Sequence, residues 1–176
     1  LGPVLANRPK DAEEFSMPSN CPECGTAIVK PEDEAMHRCP NTSCPAQFFE
    51  LLKHFVSKGA TDIDGLGEQW CRIFIDKKLV SDLADLYSLG KDQLLELDRM
   101  GDKLATRILA NIETSKQKTL PRILFALGII HVGSENAQLL SQAYNRIDES
   151  ADATEEELAE IPSIGPKIAA SIASYF

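Results

Sequence analysis

Several things are missing from this sequence, and each absence removes a class of protein. No apolar run approaches the ~20 residues that a membrane helix needs. No signal peptide opens the chain, so export is not expected. There is no initiator Met either, and Leu1-Gly2-Pro3 leads us to expect a segment of a longer protein. Five cysteines in 176 residues are too few, and odd in number, for a small disulfide scaffold. A Gly-rich phosphate loop and a paired carboxylate motif for a metal are both absent. Positive charge is in deficit: the net charge is −9, which taken alone argues against a polyanionic partner. What remains is 43% hydrophobic and 26% charged, a soluble globular composition with length for one or two domains.

The acidity is uneven. Residues 1–60 carry 6 Lys/Arg against 8 Asp/Glu, and residues 61–176 carry 12 against 19. Seven of those acids lie between Asp148 and Glu160, a stretch with no Lys or Arg. Without it the second part is neutral. We read it as the solvated side of a linker and helix start, which leaves the rest of the surface undefined.

Four cysteines fall in the pattern C-x2-C-x14-C-x4-C: Cys21, Cys24, Cys39 and Cys44. Two close pairs joined by a longer loop can aim four thiolates at one ion about 2.3 Å away, which is the spacing of a structural Zn2+ site. Pro22, Pro40 and Pro45 stiffen the turns, and Gly25 permits unusual backbone angles. Residues 17–47 have too few large apolar side chains to hold themselves together, so the metal would supply folding energy. Two disulfides would need an oxidising compartment, for which the sequence gives no sign. Four thiolates also fill the coordination shell, which excludes a catalytic water. His37 could compete as a ligand but is not needed. Cys71 sits at a helical position and is expected in a core.

From residue 61 a pattern recurs four times: apolar, x, x, apolar, Gly, then a small residue four positions on. The copies are Ile63–Gly67 with Cys71, Leu97–Gly101 with Ala105, Ile129–Gly133 with Ala137, and Ile161–Gly165 with Ala169. They are spaced by 34, 32 and 32 residues, a period that makes the repeat architectural. Helical periodicity enters and leaves them: Leu94, Leu97 and Met100, then Leu104, Ile108 and Ile112; Leu158 and Ile161, then Ile168 and Ile172. Each unit is therefore helix, Gly turn, helix, and a glycine at a helix N-terminus leaves room for a phosphate to reach free N–H groups.

These copies resemble the helix-hairpin-helix motif, a sequence-independent binder of the DNA backbone. The resemblance implies two pairs of hairpins. It places contacts at Gly65, Leu66 and Gly67; at Met100, Gly101 and Lys103; at Val132 and Gly133; and at Ile164, Gly165 and Lys167. Only the first copy has both glycines; Arg99, His131 and Ser163 stand where the others lack one, which leaves a structural role open for those turns. Lys103 and Lys167 favour the second and fourth copies for the stronger phosphate contacts, since Gln69 and Glu135 occupy that position in the others. The rival reading is a helical protein-interaction module with Gly turns.

The order of parts is more specific. Arg38-Cys-Pro-Asn-Thr-Ser-Cys-Pro-Ala-Gln47, Leu52-Lys-His-Phe-Val-Ser57, Asp62-Ile-Asp-Gly-Leu-Gly67 and Ala126-Leu-Gly-Ile-Ile-His-Val-Gly133 closely resemble the bacterial NAD-dependent DNA ligases. The resemblance implies a mainly α chain in three parts. Residues 1–16 would be the poorly ordered tail of an oligonucleotide-binding barrel, 17–47 a four-cysteine zinc finger, and 48–176 a domain of four helix-hairpin-helix motifs. It implies a parent enzyme that seals nicks with 5′-phosphate and 3′-hydroxyl ends in replication and repair. That enzyme would use NAD and Mg2+ bound outside this chain, in the bacterial cytoplasm at the nucleoid. The implied partners are nicked double-stranded DNA of any sequence and the adenylation and barrel domains of the same protein, with no membrane. The family's nucleophilic lysine lies in Lys-x-Asp-Gly, which is absent here, so no catalytic residue and no sealing activity are expected of this chain alone. A stand-alone zinc-finger and hairpin protein of repair or recombination would need the same residues.

Overall fold

A computed structural model describes residues 9, 11–13, 15–31, 35–41 and 43–176. Most of the expected tail, residues 1–16, lies outside the described residues. The chain divides into two compact units, Leu1–Pro45 and Ala46–Phe176.

In the first unit, turns and single bridges take the place of a core. Antiparallel bridges pair Asn20 with Ala27 and Val29 with Arg38. The first closes the turn over Pro22-Glu23, where Gly25 adopts φ +72° and donates its N–H to the carbonyl of Cys21 at 2.9 Å. Val29 and Met36 are exposed, and the buried apolar side chains among the described residues are the ligand-type cysteines Cys21 and Cys44. A segment so thin in apolar burial needs another source of stability.

The second unit is helical, with no strand among the described residues. Its helices are α1 (Pro45–Val56), α2 (Glu68–Asp76), α3 (Lys91–Leu95), α4 (Asp102–Ser115), α5 (Leu120–Ala126), α6 (Ser134–Ala143), α7 (Ile147–Asp152), α8 (Glu155–Ala159) and α9 (Pro166–Tyr175). A 3-10 helix spans Leu83–Ser88. The apolar positions of the repeat explain the packing. Ile63, Leu66, Cys71, Leu97, Met100 and Ala105, from the first two copies, share one buried cluster with Ile108 and Ile112. Ile129, Val132, Ala137, Ile164 and Ala169, from the other two, share a second with Leu158 and Ile172. The expected two pairs of hairpins are thus two cores. The small residues Cys71, Ala105, Ala137 and Ala169 are fully buried in these cores, and burial pushes the Cys71 thiol up to about 11.

Helix α5 joins the cores. Ala126 belongs to the first and Leu124 to the second, and Phe125 packs against both. Helix α1 crosses its end: His54 Nε2 lies 2.7 Å from the Phe125 carbonyl, and the two rings meet edge to face. Here Gly128 has φ +67°, and a Cβ on it would come within 2.7 Å of Leu51 Cδ1. From α5, Arg122 donates to the carbonyls of Lys58 and Ala60, and just before that helix Lys118 pairs with Asp62 at 3.2 Å. These contacts fasten the connection between α1 and the first hairpin.

The four turns are built alike. The N–H of Leu66, Met100, Val132 and Ile164 bonds the carbonyl three residues back, at 2.9–3.3 Å. Each following helix opens with a bond from Cys71, Ala105, Ala137 or Ala169 to the hairpin glycine carbonyl, at 2.9–3.0 Å. The left-handed position in every copy lies two residues before that glycine. Gly65 occupies it at φ +90°, and Arg99, His131 and Ser163 occupy it at +66°, +68° and +71°. A non-glycine residue there costs about 1–2 kcal/mol.

Candidate metal centre and nucleic-acid interface

The two turns of the first unit bring Cys21, Cys24, Cys39 and Cys44 together, with all four sulfurs within 4.8 Å of one another and His37 outside the group. Cys21 and Cys44 Sγ are 3.9 Å apart, and Cys24 and Cys39 Sγ are 3.5 Å apart. Tetrahedral ligands at about 2.3 Å stand about 3.8 Å apart, so the donor set fits Zn2+. Hydrogen bonds from Thr26, side chain then backbone, and from Asn41 hold the Cys24 thiol down at about 6. Cys39 is pulled down by the Asn41 backbone but pushed up to about 11 by burial and the neighbouring sulfurs of Cys24 and Cys21. Sulfurs this close resist carrying four negative charges unless a cation stands among them.

The hairpin sites begin from the glycines. Gly67, Gly101, Gly133 and Gly165 are the N-caps of α2, α4, α6 and α9. Their φ values run from −79° to −84° with extended ψ, a conformation open to any residue. A Cβ on any of the four would meet no atom within 4 Å. Backbone conformation and packing therefore do not demand glycine here; what its bareness leaves is an open approach to the helix end. No side chain caps these four helices. Helix α5 also lacks a side-chain cap, whereas other elements of the same unit carry side-chain bonds at or beside their first turn. Asp82 accepts from Ala84, Gln93 from Gly90, Glu149 from Asn145, and Thr154 from Glu157. The N–H groups of Leu104 and Ile168 bond the Gly101 and Gly165 carbonyls at 3.0 Å, and the positive end of each helix dipole lies at the glycine, where a Cβ would find open space. Leu66, Met100, Val132 and Ile164 are buried, so at these positions only backbone can face a ligand.

Charge separates the four. Glu68, Asp102 and Glu135 stand in the first turns of α2, α4 and α6, whereas α9 has no acid there. Lys91 pairs with Asp102 at 2.7 Å, and Lys53 lies 3.7 Å from Glu68. Lys103 and Lys167 are exposed at the second positions of α4 and α9. Pro166 at the start of α9 removes one N–H donor from that turn, a loss legible in the sequence but missed there.

The first hairpin differs in a way its motif concealed. A Cβ on Gly65 would lie 3.2 Å from Ile108 Cγ1 and 3.3 Å from Arg107 Nε and Nη2. Asn111 Nδ2 donates to the Asp64 carbonyl at 2.8 Å, and Arg107 Nε is 3.7 Å from Asp64 Oδ2. The complete motif is thus the one whose tip is packed under another helix, while the three incomplete tips are exposed.

Fold and sites define a four-cysteine finger with tandem helix-hairpin-helix domains. Residues 20–46 match the NAD-dependent DNA ligase C4 zinc finger domain, 58–114 the SAM-like helix-hairpin-helix tandem, and 122–176 the helix-hairpin-helix motif. The chain is 49% identical to a DNA ligase of Geobacter sulfurreducens over 174 residues. It is 46% identical to that of Bacillus mycoides and 44% to that of Geotalea uraniireducens, each over 173. Each match covers 98% of this chain and 26% of the relative. The chain therefore spans about a quarter of the length of these relatives, and along nearly all of its own length it is similar to a part of them. Its domains imply DNA binding. No helix among the described residues is long and apolar enough to cross a membrane.

Proposed function

We propose that this chain is the part of an NAD-dependent DNA ligase that holds nicked duplex, and that it does so without taking part in the chemistry. The reading rests on four like turns, each ending at a helix N-terminus with a glycine N-cap and open space beside it, in a chain similar to ligases along nearly its whole length. Backbone N–H groups beside Gly67, Gly101, Gly133 and Gly165 donate to phosphate oxygens, with Lys103 and Lys167 adding charge at the second and fourth hairpins. Such contacts position DNA without reading its sequence. They are local, so a net charge of −9 does not prevent them. One Zn2+ held by Cys21, Cys24, Cys39 and Cys44 supplies the first unit with the stability its apolar content does not.

The whole protein would form an adenylated lysine from NAD, pass AMP to the 5′-phosphate and join the 3′-hydroxyl, with Mg2+. Those steps belong to residues outside this chain, which contains no Lys-x-Asp-Gly. Here binding energy serves orientation at a distant reacting centre, in the bacterial cytoplasm.

Fluorescence titration of the chain with nicked duplex at low salt tests the reading. Expected are binding that weakens steeply with salt and equal affinity for duplexes of unrelated sequence. Absence of binding would favour a protein-interaction module. Incubation with radiolabelled NAD should leave the chain unlabelled, and a stable adenylate on any lysine here would overturn the assignment.

A further inference from the structure

Three hairpins keep a side chain where the turn favours none. At the left-handed position Arg99, His131 and Ser163 hold φ of +66° to +71°, a conformation that glycine adopts without steric cost. The other two non-glycine residues with positive φ among the described residues have local explanations. Lys78 closes α2, its N–H bonding the Ile75 carbonyl, and Asp62 pairs with Lys118. Arg99, His131 and Ser163 have none. All three are exposed, and no protein group among the described residues hydrogen-bonds, pairs with or stacks on their side chains. Ser163 also lines an open groove against the start of α6, with Ser134, Glu135, Asn136, Gln138 and Leu139. Each strained residue stands two positions before an uncapped glycine, at the tip leading into an open helix N-terminus. The first hairpin, with glycine at this position, is the one whose tip is covered by Ile108 and Arg107.

Resting on the DNA-binding reading above, we propose that Arg99, His131 and Ser163 are themselves duplex contacts, and that the left-handed strain is retained because these side chains reach DNA beside the phosphates held by the helix ends. Arg99 supplies a cation, and His131 and Ser163 supply hydrogen bonds to phosphate or sugar. Glu135 stands four residues after His131 and lines the groove beside Ser163, so Arg99 makes the strongest of the three contacts.

The test replaces each residue with glycine, which suits the backbone angle and removes only the side chain. Thermal unfolding should rise or stay unchanged, since strain is relieved. Affinity for nicked duplex should fall by about three- to tenfold for Arg99→Gly and Ser163→Gly, the scale of one lost hydrogen bond. Arg99→Gly should lower the salt slope by about one, Ser163→Gly should leave it unchanged, and Arg99→Lys should restore it. Wild-type affinity in either the Arg99 or the Ser163 glycine variant overturns the proposal, as does a loss of affinity that follows a loss of stability. Alanine at Gly101 and Gly165 separates the two readings. If those variants lose binding and the tip variants do not, the hairpins hold DNA without their tips. If the wild-type chain does not bind at all, the DNA-binding reading fails and this inference with it.

Discussion

Alanine at Gly65 would place its Cβ 3.2 Å from Ile108 Cγ1, at a φ of +90°. Strain and crowding then act together, so Gly65→Ala should destabilise the fold by about 2 kcal/mol. Alanine at Gly101 or Gly165 meets neither obstacle. Those variants should lose no more than about 1 kcal/mol through a poorer N-cap, yet bind nicked duplex more weakly, because the new Cβ stands at the mouth of the helix end. Thermal melts and DNA titrations of the three variants check this. The expected result is a crossover, in which the variant that melts earliest is not one of the two that bind worst. Equal stability losses at Gly65 and Gly101 would refute it.

Among the elements, the finger and the helical unit draw on different sources of stability. The helical unit has two buried apolar clusters of its own, whereas the cysteine unit has bridges, turns and four sulfurs. Cys39→Ser should therefore abolish stoichiometric zinc and disorder the finger while leaving most far-UV helical signal in place. Metal analysis beside circular dichroism decides it, and loss of the whole helical signal would show one folding unit. Zinc binding should weaken as pH falls, because protons compete with the metal for the thiolates. Within the helical unit, the join at α5 is the vulnerable point. Gly128→Ala combines φ +67° with a 2.7 Å approach to Leu51, and should lower stability by about 2 kcal/mol, measured by chemical denaturation.

Over the whole molecule, a chain with net charge −9 can hold DNA only if its favourable field is local. Seven acids lie between Asp148 and Glu160, on α7, α8 and their flanks, and Glu149 and Glu157 there bond backbone N–H groups at helix starts. The hairpin helix α9 has no first-turn acid and carries Lys167. Replacing Lys103 or Lys167 with Ala should weaken binding about equally for all sequences and lower the salt slope by about one each. A salt titration with nicked duplex measures both. Unchanged slope and affinity in both variants would make the second and fourth hairpins packing turns.

Local chemistry fixed much of this protein in its sequence. Cysteine spacing defines the metal cluster because two short turns can present four sulfurs to one ion. The recurring apolar residues define the hairpins because Leu66, Met100, Val132 and Ile164 must be buried for the turns to form. Their grouping into two pairs also follows, since adjacent copies share a core. What each glycine does was not legible, because glycine reads the same whether it relieves strain, avoids a neighbour or leaves space. The sequence made the first hairpin the complete one; only the tertiary structure showed Arg107, Ile108 and Asn111, more than forty residues away, closing over its tip. Likewise Arg99, His131 and Ser163 look like defects in a motif until the backbone angles show them at the left-handed position and the packing shows them exposed. Periodicity along a chain records which side chains must be buried. It carries no record of which distant helix covers a turn, and that decides which hairpin ends remain open to a phosphate.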